Sequence, residues 1–189
     1  KPDFAEAFNN LCSTLKELGQ LDIAVKSYKQ VLAINPDLVE AHNNLGVTLQ
    51  ELGQLDIAVK SFEKALAIKP DYVDAHYNLG NTLNDLGHHA AAVNSYEKAL
   101  AIKPDYVDAH YNLGNTLNDL GQLDEAVNCF EKALAIKPDY VEGHNNLGIA
   151  LKELGQLDEA VKCYKHALTI KPDYADAHNN LGNVLKDLG

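Results

Sequence analysis

Apolar residues recur along the chain at the spacing of one helix face, in two patterns that alternate. Within residues 39–72 the first pattern consists of Ala41, Leu45, Leu49 and Leu52, and the second of Ala58, Phe62, Ala65, Leu66 and Ile68. Steps of three and four residues place each set on one side of an α-helix. Gly53 ends the first helix because glycine takes a left-handed conformation without a steric penalty, and Pro70 ends the second. The segment is therefore predicted to be a helical hairpin.

The start of the following helix carries a pair of acidic residues. Asp71 and Asp74 are three residues apart, directly after Pro70. This is the spacing of a capping box, in which two side chains satisfy free N–H groups at a helix start. We expect Asp71 to cap the helix that follows it.

The hairpin recurs at a fixed interval of 34 residues, which the prolines mark at Pro2, Pro36, Pro70, Pro104, Pro138 and Pro172. A period of this length predicts stacked units, because one hairpin cannot bury its apolar face alone. We predict one continuous solenoid domain whose five complete repeats are 5–38, 39–72, 73–106, 107–140 and 141–174. Residues 1–4 match the tail of a preceding repeat, and 175–189 match the first helix of a sixth. We therefore expect the chain to be a piece of a longer array.

Leu45-Gly46, Ala58, Phe62, Ala65 and Pro70 form a motif that resembles the tetratricopeptide repeat, and the other units match nearly as well. Two positions depart from the family pattern: its early aromatic is Phe8 in the first unit but histidine in the others, and Cys12 replaces a glycine. The resemblance implies an all-α, right-handed superhelical solenoid of antiparallel helix-turn-helix hairpins. It further implies that the first helix of each repeat lines a concave groove.

Composition excludes several function classes. The formal net charge is −11, from 16 Lys+Arg against 27 Asp+Glu, and every basic residue is lysine. An acidic chain without arginine is a poor partner for nucleic acid or for an anionic membrane. No apolar run approaches the ~18 residues of a membrane span, and the N-terminus lacks a secretory signal. Three cysteines without a predicted partner suit a reducing compartment, so we expect a cytoplasmic protein.

Histidine and cysteine occur in numbers that invite a metal site, but their spacing argues against one. His42, His76, His110, His144 and His178 are 34 residues apart. Stacked hairpins lie ~10 Å apart, whereas zinc ligands converge to ~2.0–2.3 Å from one ion. We predict that these histidines are packing residues and that His88-His89 is an exposed turn variant. The sequence thus predicts no metal, no cofactor and no enzyme, because nothing resembling a catalytic constellation stands out from the repeats.

Asparagine recurs at one position of the first helix in every unit, at Asn10, Asn44, Asn78, Asn112, Asn146 and Asn180. A carboxamide offers donors and acceptors that can pair with the backbone of an extended peptide. The arrangement resembles the asparagine ladder in the repeat half of O-linked N-acetylglucosamine transferases, which implies backbone recognition. The further candidate contacts are Asn81, Asn115, Asn183, Tyr77 and Tyr111. The alternative is that these asparagines bond across to the neighbouring repeat.

We predict a non-catalytic scaffold that binds an extended peptide segment in its groove. The acidic residues that edge this face favour a neutral or basic segment. One alternative is a self-assembling module that stacks end to end through Leu181, Leu185 and Leu188. Another is the substrate-selecting arm of a larger glycosyltransferase-like enzyme.

Overall fold

The computed structural model describes residues 11–12 and 14–189, and every regular element in that part of the chain is helical. Residues 11–12 and 14–17 are helical and precede the first helix that is described in full. The full helices are α1 (Leu21–Ile34), α2 (Val39–Glu51), α3 (Leu55–Ile68), α4 (Val73–Asp85), α5 (His89–Ile102), α6 (Val107–Asp119), α7 (Leu123–Ile136), α8 (Val141–Glu153), α9 (Leu157–Ile170) and α10 (Ala175–Leu188). None of the helices in these residues is long and apolar enough to cross a membrane. The predicted all-α class is confirmed.

The turn inside each hairpin is closed by the predicted glycine. Gly53 has a φ of 71°, and its N–H donates to the Gln50 carbonyl at 2.9 Å. The next N–H, of Gln54, donates to the Leu49 carbonyl at 2.8 Å. These bonds satisfy the last carbonyls of α2, and the positive φ makes glycine the favoured residue here.

The predicted capping box is wrong. The N-cap of α4 is Tyr72, one residue after Asp71, and it makes no side-chain cap hydrogen bond. A backbone turn holds the helix start, since the Tyr72 N–H donates to the Lys69 carbonyl at 3.2 Å. His76, in the first turn of α4, also reaches back and donates from Nε2 to the Pro70 carbonyl at 2.8 Å. The histidine therefore ties the helix start to the preceding turn.

A close approach between the two helices of a hairpin explains the glycine in the middle of the first helix. A Cβ added to Gly46 would lie 2.5 Å from Cε1 of Phe62, whose ring is fully buried. Gly80, Gly114 and Gly148 meet an aromatic ring in the same way. The aromatic side chain of the second helix therefore fills the space that the glycine leaves in its own hairpin.

The chain divides into two compact units. Unit 1 extends to Ile102, and its full helices are α1–α5; unit 2 is Lys103–Gly189 and contains α6–α10. In unit 1 each helix packs on the next, and α2 also contacts α4. In unit 2 the same order holds, and α8 contacts both α6 and α10. First helices of neighbouring repeats thus meet within each unit, which brings the recurrent asparagines near one another.

Candidate functional site

The recurrent carboxamides occupy the sixth residue of α2, α4, α6, α8 and α10. All five are half-buried, as expected for side chains at the edge of an inter-helix contact that remains open to solvent. They are Asn44, Asn78, Asn112, Asn146 and Asn180; Asn10, the sixth predicted member, lies outside the described residues. We call these five the carboxamide row.

In unit 1 the row is connected through a second, buried asparagine. Nδ2 of Asn78 donates to Oδ1 of Asn43 at 3.1 Å, and Nδ2 of Asn43 donates to Oδ1 of Asn44 at 3.4 Å. Asn43 is only 5% exposed. The bond between Asn78 and Asn43 crosses from one repeat to the preceding one and fixes the orientation of the Asn78 amide.

In unit 2 the row bonds to a tyrosine hydroxyl as well as to other asparagines. Nδ2 of Asn146 donates to the Tyr111 hydroxyl at 2.9 Å and to Oδ1 of Asn115 at 2.8 Å. Asn145 donates to Oδ1 of Asn146 at 3.1 Å and accepts from Nδ2 of Asn180 at 3.0 Å. Because a carboxamide has two N–H groups, Asn146 uses both of them inside the protein. Its carbonyl oxygen is the atom that keeps bonding capacity.

Both interpretations of the asparagines therefore have a physical basis. The bonds to the preceding repeat are those of the alternative interpretation, in which the amides hold the repeats together. The same bonds pre-orient the amides, and a carboxamide retains further bonding sites after one or two are used. Asn78 uses one N–H in its bond to Asn43, so a second N–H and the carbonyl oxygen keep bonding capacity.

The auxiliary residues divide into packed and exposed groups. The half-buried Tyr77 and Tyr111 pack against other aromatic rings, with a centroid distance of 4.9 Å between Tyr111 and Tyr140. Burial raises the pKa of the Tyr111 hydroxyl above its usual range, so it stays protonated. Asn81 accepts a hydrogen bond from the Tyr96 hydroxyl at 2.8 Å. Asn115 accepts from Asn146, as described, and Asn183 is exposed.

A pocket of about 300 Å³ opens beside the row in unit 2. Only two of its lining residues, Asn115 and Asn146, belong to the predicted peptide-binding set. The lining residues are Asn115, Asn118 and Asp119 of α6, Phe130 of α7, and Asn146 and Ile149 of α8. One feature of the sequence marks this place. Residues 63–87 and 97–121 are identical, but His88-His89 follows the first stretch and Gln122-Leu123 follows the second.

A second surface lies between the second helices of unit 1. A groove of about 850 Å³ separates α1 from α3, and residues of α2 form part of its lining. Its wall is apolar at Leu32, Ile57 and Ile68 and carries the amines of Lys29 and Lys60. None of these residues belongs to the predicted peptide-binding set.

The predicted packing role of the recurrent histidines fits only some of them. His42, His76 and His110 are 7–8% exposed, whereas His144 is half-buried and His178 is exposed. None of the three cysteines forms a disulfide, and burial raises the pKa of Cys163 to about 11, which suppresses its thiolate. Within the described residues, no cluster of three or more histidine, cysteine, aspartate or glutamate side chains could hold a metal ion.

Comparison with known proteins gives one family and several structures. A family model described as TPR repeat matches residues 13–53, 49–87, 80–121, 114–155 and 150–189. No curated protein sequence matches the chain.

Three solved structures illustrate the likeness. A crystal structure of MamA is 31% identical, with a TM-score of 0.82, and the match covers 87% of this chain and 96% of that one. YrrB, described as a TPR protein with an unusual peptide-binding site, is 23% identical with a TM-score of 0.80, over 91% of this chain and 89% of that one. TTC0263, a thermophilic TPR protein of Thermus thermophilus, is 25% identical with a TM-score of 0.69, over 96% of this chain and 99% of that one.

Proposed function

This chain belongs to the tetratricopeptide repeat family, whose members bind protein or peptide partners, and from that premise we propose that it is a non-catalytic scaffold for an extended protein segment. The segment binds along the members of the carboxamide row that one unit carries, beside the first helices of that unit. The single observation that carries the proposal is that all five described members of the row are half-buried rather than sealed. Each is positioned where a partner can reach it.

The hydrogen-bonding state of each amide decides what it recognises. Asn146 has used both N–H groups, so its carbonyl oxygen accepts from a backbone N–H of the partner. Asn78 keeps one N–H and both lone pairs, so it can also donate to a backbone carbonyl. This mode of recognition tolerates many sequences because it contacts groups that every residue except proline carries.

The spacing of the row suits an extended chain. Packed helices lie ~8–10 Å apart, and an extended backbone advances ~3.3 Å per residue, so adjacent amides would contact about every third residue. The net charge of −11 favours a neutral or basic segment over an acidic one.

The test uses short random peptides displayed on phage, from which binders of the wild-type chain are selected and synthesised. We expect N78A to weaken their binding about threefold to tenfold in titration calorimetry, the range for loss of one or two neutral hydrogen bonds. Methylation of single backbone N–H groups in the peptide should have a comparable effect at the residues that contact the row.

The matched controls are N94A and N128A, because these asparagines are exposed on the second helices α5 and α7. Thermal unfolding of N78A is measured alongside, since the substitution also removes the bond to Asn43. Peptide affinities that N78A leaves unchanged, or that depend only on peptide side chains, would contradict backbone recognition.

End-to-end association remains the second candidate function. Leu185 and Leu188 of α10 are each 47% exposed, an apolar surface that a second copy could cover. The measurement is sedimentation equilibrium of the wild type against the L185E/L188E double variant. We expect a mass that rises with concentration only in the wild type, and a monomer at every concentration would dismiss this candidate.

Our two remaining expectations concern catalysis and location. The family's members are typically non-catalytic interaction scaffolds, and we propose the same for this chain. Cytoplasmic residence is proposed from its free cysteines. A role as the substrate-selecting arm of a larger transferase is compatible with the scaffold, because it would use the same groove.

A further inference from the structure

The pocket of unit 2 is sized for one side chain. Its volume of about 300 Å³ lies at the lower limit of the ~300–1,000 Å³ that small-molecule sites occupy. Three helices enclose it: α6 supplies three polar residues, α7 supplies Phe130, and α8 supplies Asn146 and Ile149. It adjoins the carboxamide row, because Asn146 belongs to both.

Asn118, one of the residues that line the pocket, carries a buried acceptor. Oδ1 of Asn118 is inaccessible to solvent and has no hydrogen-bond partner among the described residues. In unit 1 the equivalent Asn84 accepts from Nδ1 of His89 at 2.9 Å. Leu123 stands at the position of His89 in unit 2 and has no donor to offer. Buried polar atoms are rarely left unpaired, so a donor brought by a bound side chain would meet an unused acceptor here.

The remaining chemistry of the lining favours a cation. Asn146 uses both N–H groups on Tyr111 and Asn115, and the charged group in the lining is the carboxylate of Asp119. Phe130 and Ile149 supply apolar surface, which the alkyl stem of a lysine or arginine can cover while its charged end meets the acceptors.

We propose that this pocket binds one basic side chain, lysine or arginine, of the segment that the scaffold accepts. The proposal rests on the function proposed above and adds a specific requirement to it: a cationic residue at the position of the segment that passes α6 and α8. Backbone recognition by the row then holds the segment, and the pocket fixes its register.

The probe is N-acetyl-lysine methylamide, titrated into the isotope-labelled chain while the side-chain amide signals of Asn115, Asn118 and Asn146 are followed by NMR. The control probe is the norleucine analogue, which keeps the alkyl stem and lacks the charge. We expect the lysine probe to shift the Asn118 signals and the norleucine probe to leave them in place.

Two variants test the assignment. L123H introduces the residue found at the equivalent position of unit 1, so it should give Asn118 an internal donor and weaken the lysine probe about tenfold. D119N removes the charge without changing the shape and should weaken it to a similar extent. Equal shifts from both probes, or undiminished lysine binding by both variants, would overturn the proposal.

The experiments distinguish a failure of the pocket proposal from a failure of the scaffold proposal. If selected peptides depend on Asn78 but show no basic residue and no loss with L123H, the pocket assignment fails and the scaffold stands. If the lysine probe binds as expected while N78A leaves peptide affinity unchanged, the pocket assignment is supported and backbone recognition by the row fails.

Discussion

Helices α4 and α6 have the same 13-residue sequence, VDAHYNLGNTLND, yet they hold their polar side chains differently. In α4, Asn81 accepts from the Tyr96 hydroxyl and Asn84 accepts from His89. In α6, Asn115 accepts from Asn146, and Oδ1 of Asn118 is left without a partner among the described residues. The donors that differ belong to the following helix, where Tyr96 and His89 of α5 are replaced by Phe130 and Leu123 of α7.

The two helices share the features that their own sequence determines and differ in the hydrogen bonds that neighbouring helices supply. Both helices begin after a tyrosine N-cap, and both carry a buried histidine bonded to the preceding proline carbonyl. Two changes in the following helix, Tyr96 to Phe130 and His89 to Leu123, remove the two donors that bond to Asn81 and Asn84 in unit 1. A pocket is present in unit 2 where the second of these changes removes a donor.

The largest effect is expected where the two helices are alike. In both G80A and G114A, the added Cβ would lie less than 3 Å from a buried ring, Tyr96 or Phe130 respectively. We expect each variant to lose about 1–3 kcal/mol of unfolding free energy, because overpacking outweighs the better helix propensity of alanine. Urea unfolding followed by circular dichroism measures the loss.

G182A is the matched control, since a Cβ there meets no heavy atom within 4 Å. It should gain about 0.5–1 kcal/mol from helix propensity alone. Wild-type stability in G80A and G114A would show that the rings can move aside and that close approach does not explain these glycines.

The next largest effect concerns the tyrosine that distinguishes the two hairpins. Y96F removes the hydrogen bond from Tyr96 to Asn81 and should cost about 1–2 kcal/mol in urea unfolding, because the half-buried acceptor loses one of its bonds. F130Y should have a smaller effect, since Asn115 already accepts from Asn146. A larger loss in F130Y than in Y96F would contradict the assigned bonds.

The same tyrosine gives a pH dependence with a definite sign. Burial raises the pKa of Tyr96 above its ordinary value of 10.0, so the folded state favours the neutral phenol. Its contribution is complete below pH ~10 and is lost as pH rises further. Wild type should therefore lose more stability than Y96F when the urea series is repeated above this pH.

The smallest effect is expected when the residues at the equivalent positions 89 and 123 are exchanged. H89L leaves Oδ1 of Asn84 without the bond it has in the wild type and should destabilise by about 1 kcal/mol. L123H should stabilise by less than that, because the gained bond is offset by lost apolar contact. If H89L and L123H change the free energy of unfolding, measured with urea, in the same direction, the bond to Asn84 and the unpaired oxygen of Asn118 do not explain these effects.

Much of the fold was predictable from local signals. The turn glycines and the end of each second helix near its proline agree with the sequence-based expectation. The capping box failed because Asp71 lies one residue before the N-cap, where a backbone turn already holds the helix start. Spacing alone does not distinguish adjacent positions at a helix end.

The candidate site was predictable only in part. The sequence identified the recurrent asparagines, because repetition at one helix position is visible without coordinates. It did not reveal that Asn146 uses both N–H groups or that Asn118 lies beside a pocket. Both facts depend on residues in other helices.

The sequence by itself determined the period, the helical hairpins and the position of each carboxamide, because helix spacing and chain breaks act over a few residues. The tertiary structure alone decided which partner each amide takes. A carboxamide has four bonding sites of similar strength, and the choice among them depends on groups as far as 35 residues away in the chain. Identical helices can therefore present different chemistry to a partner.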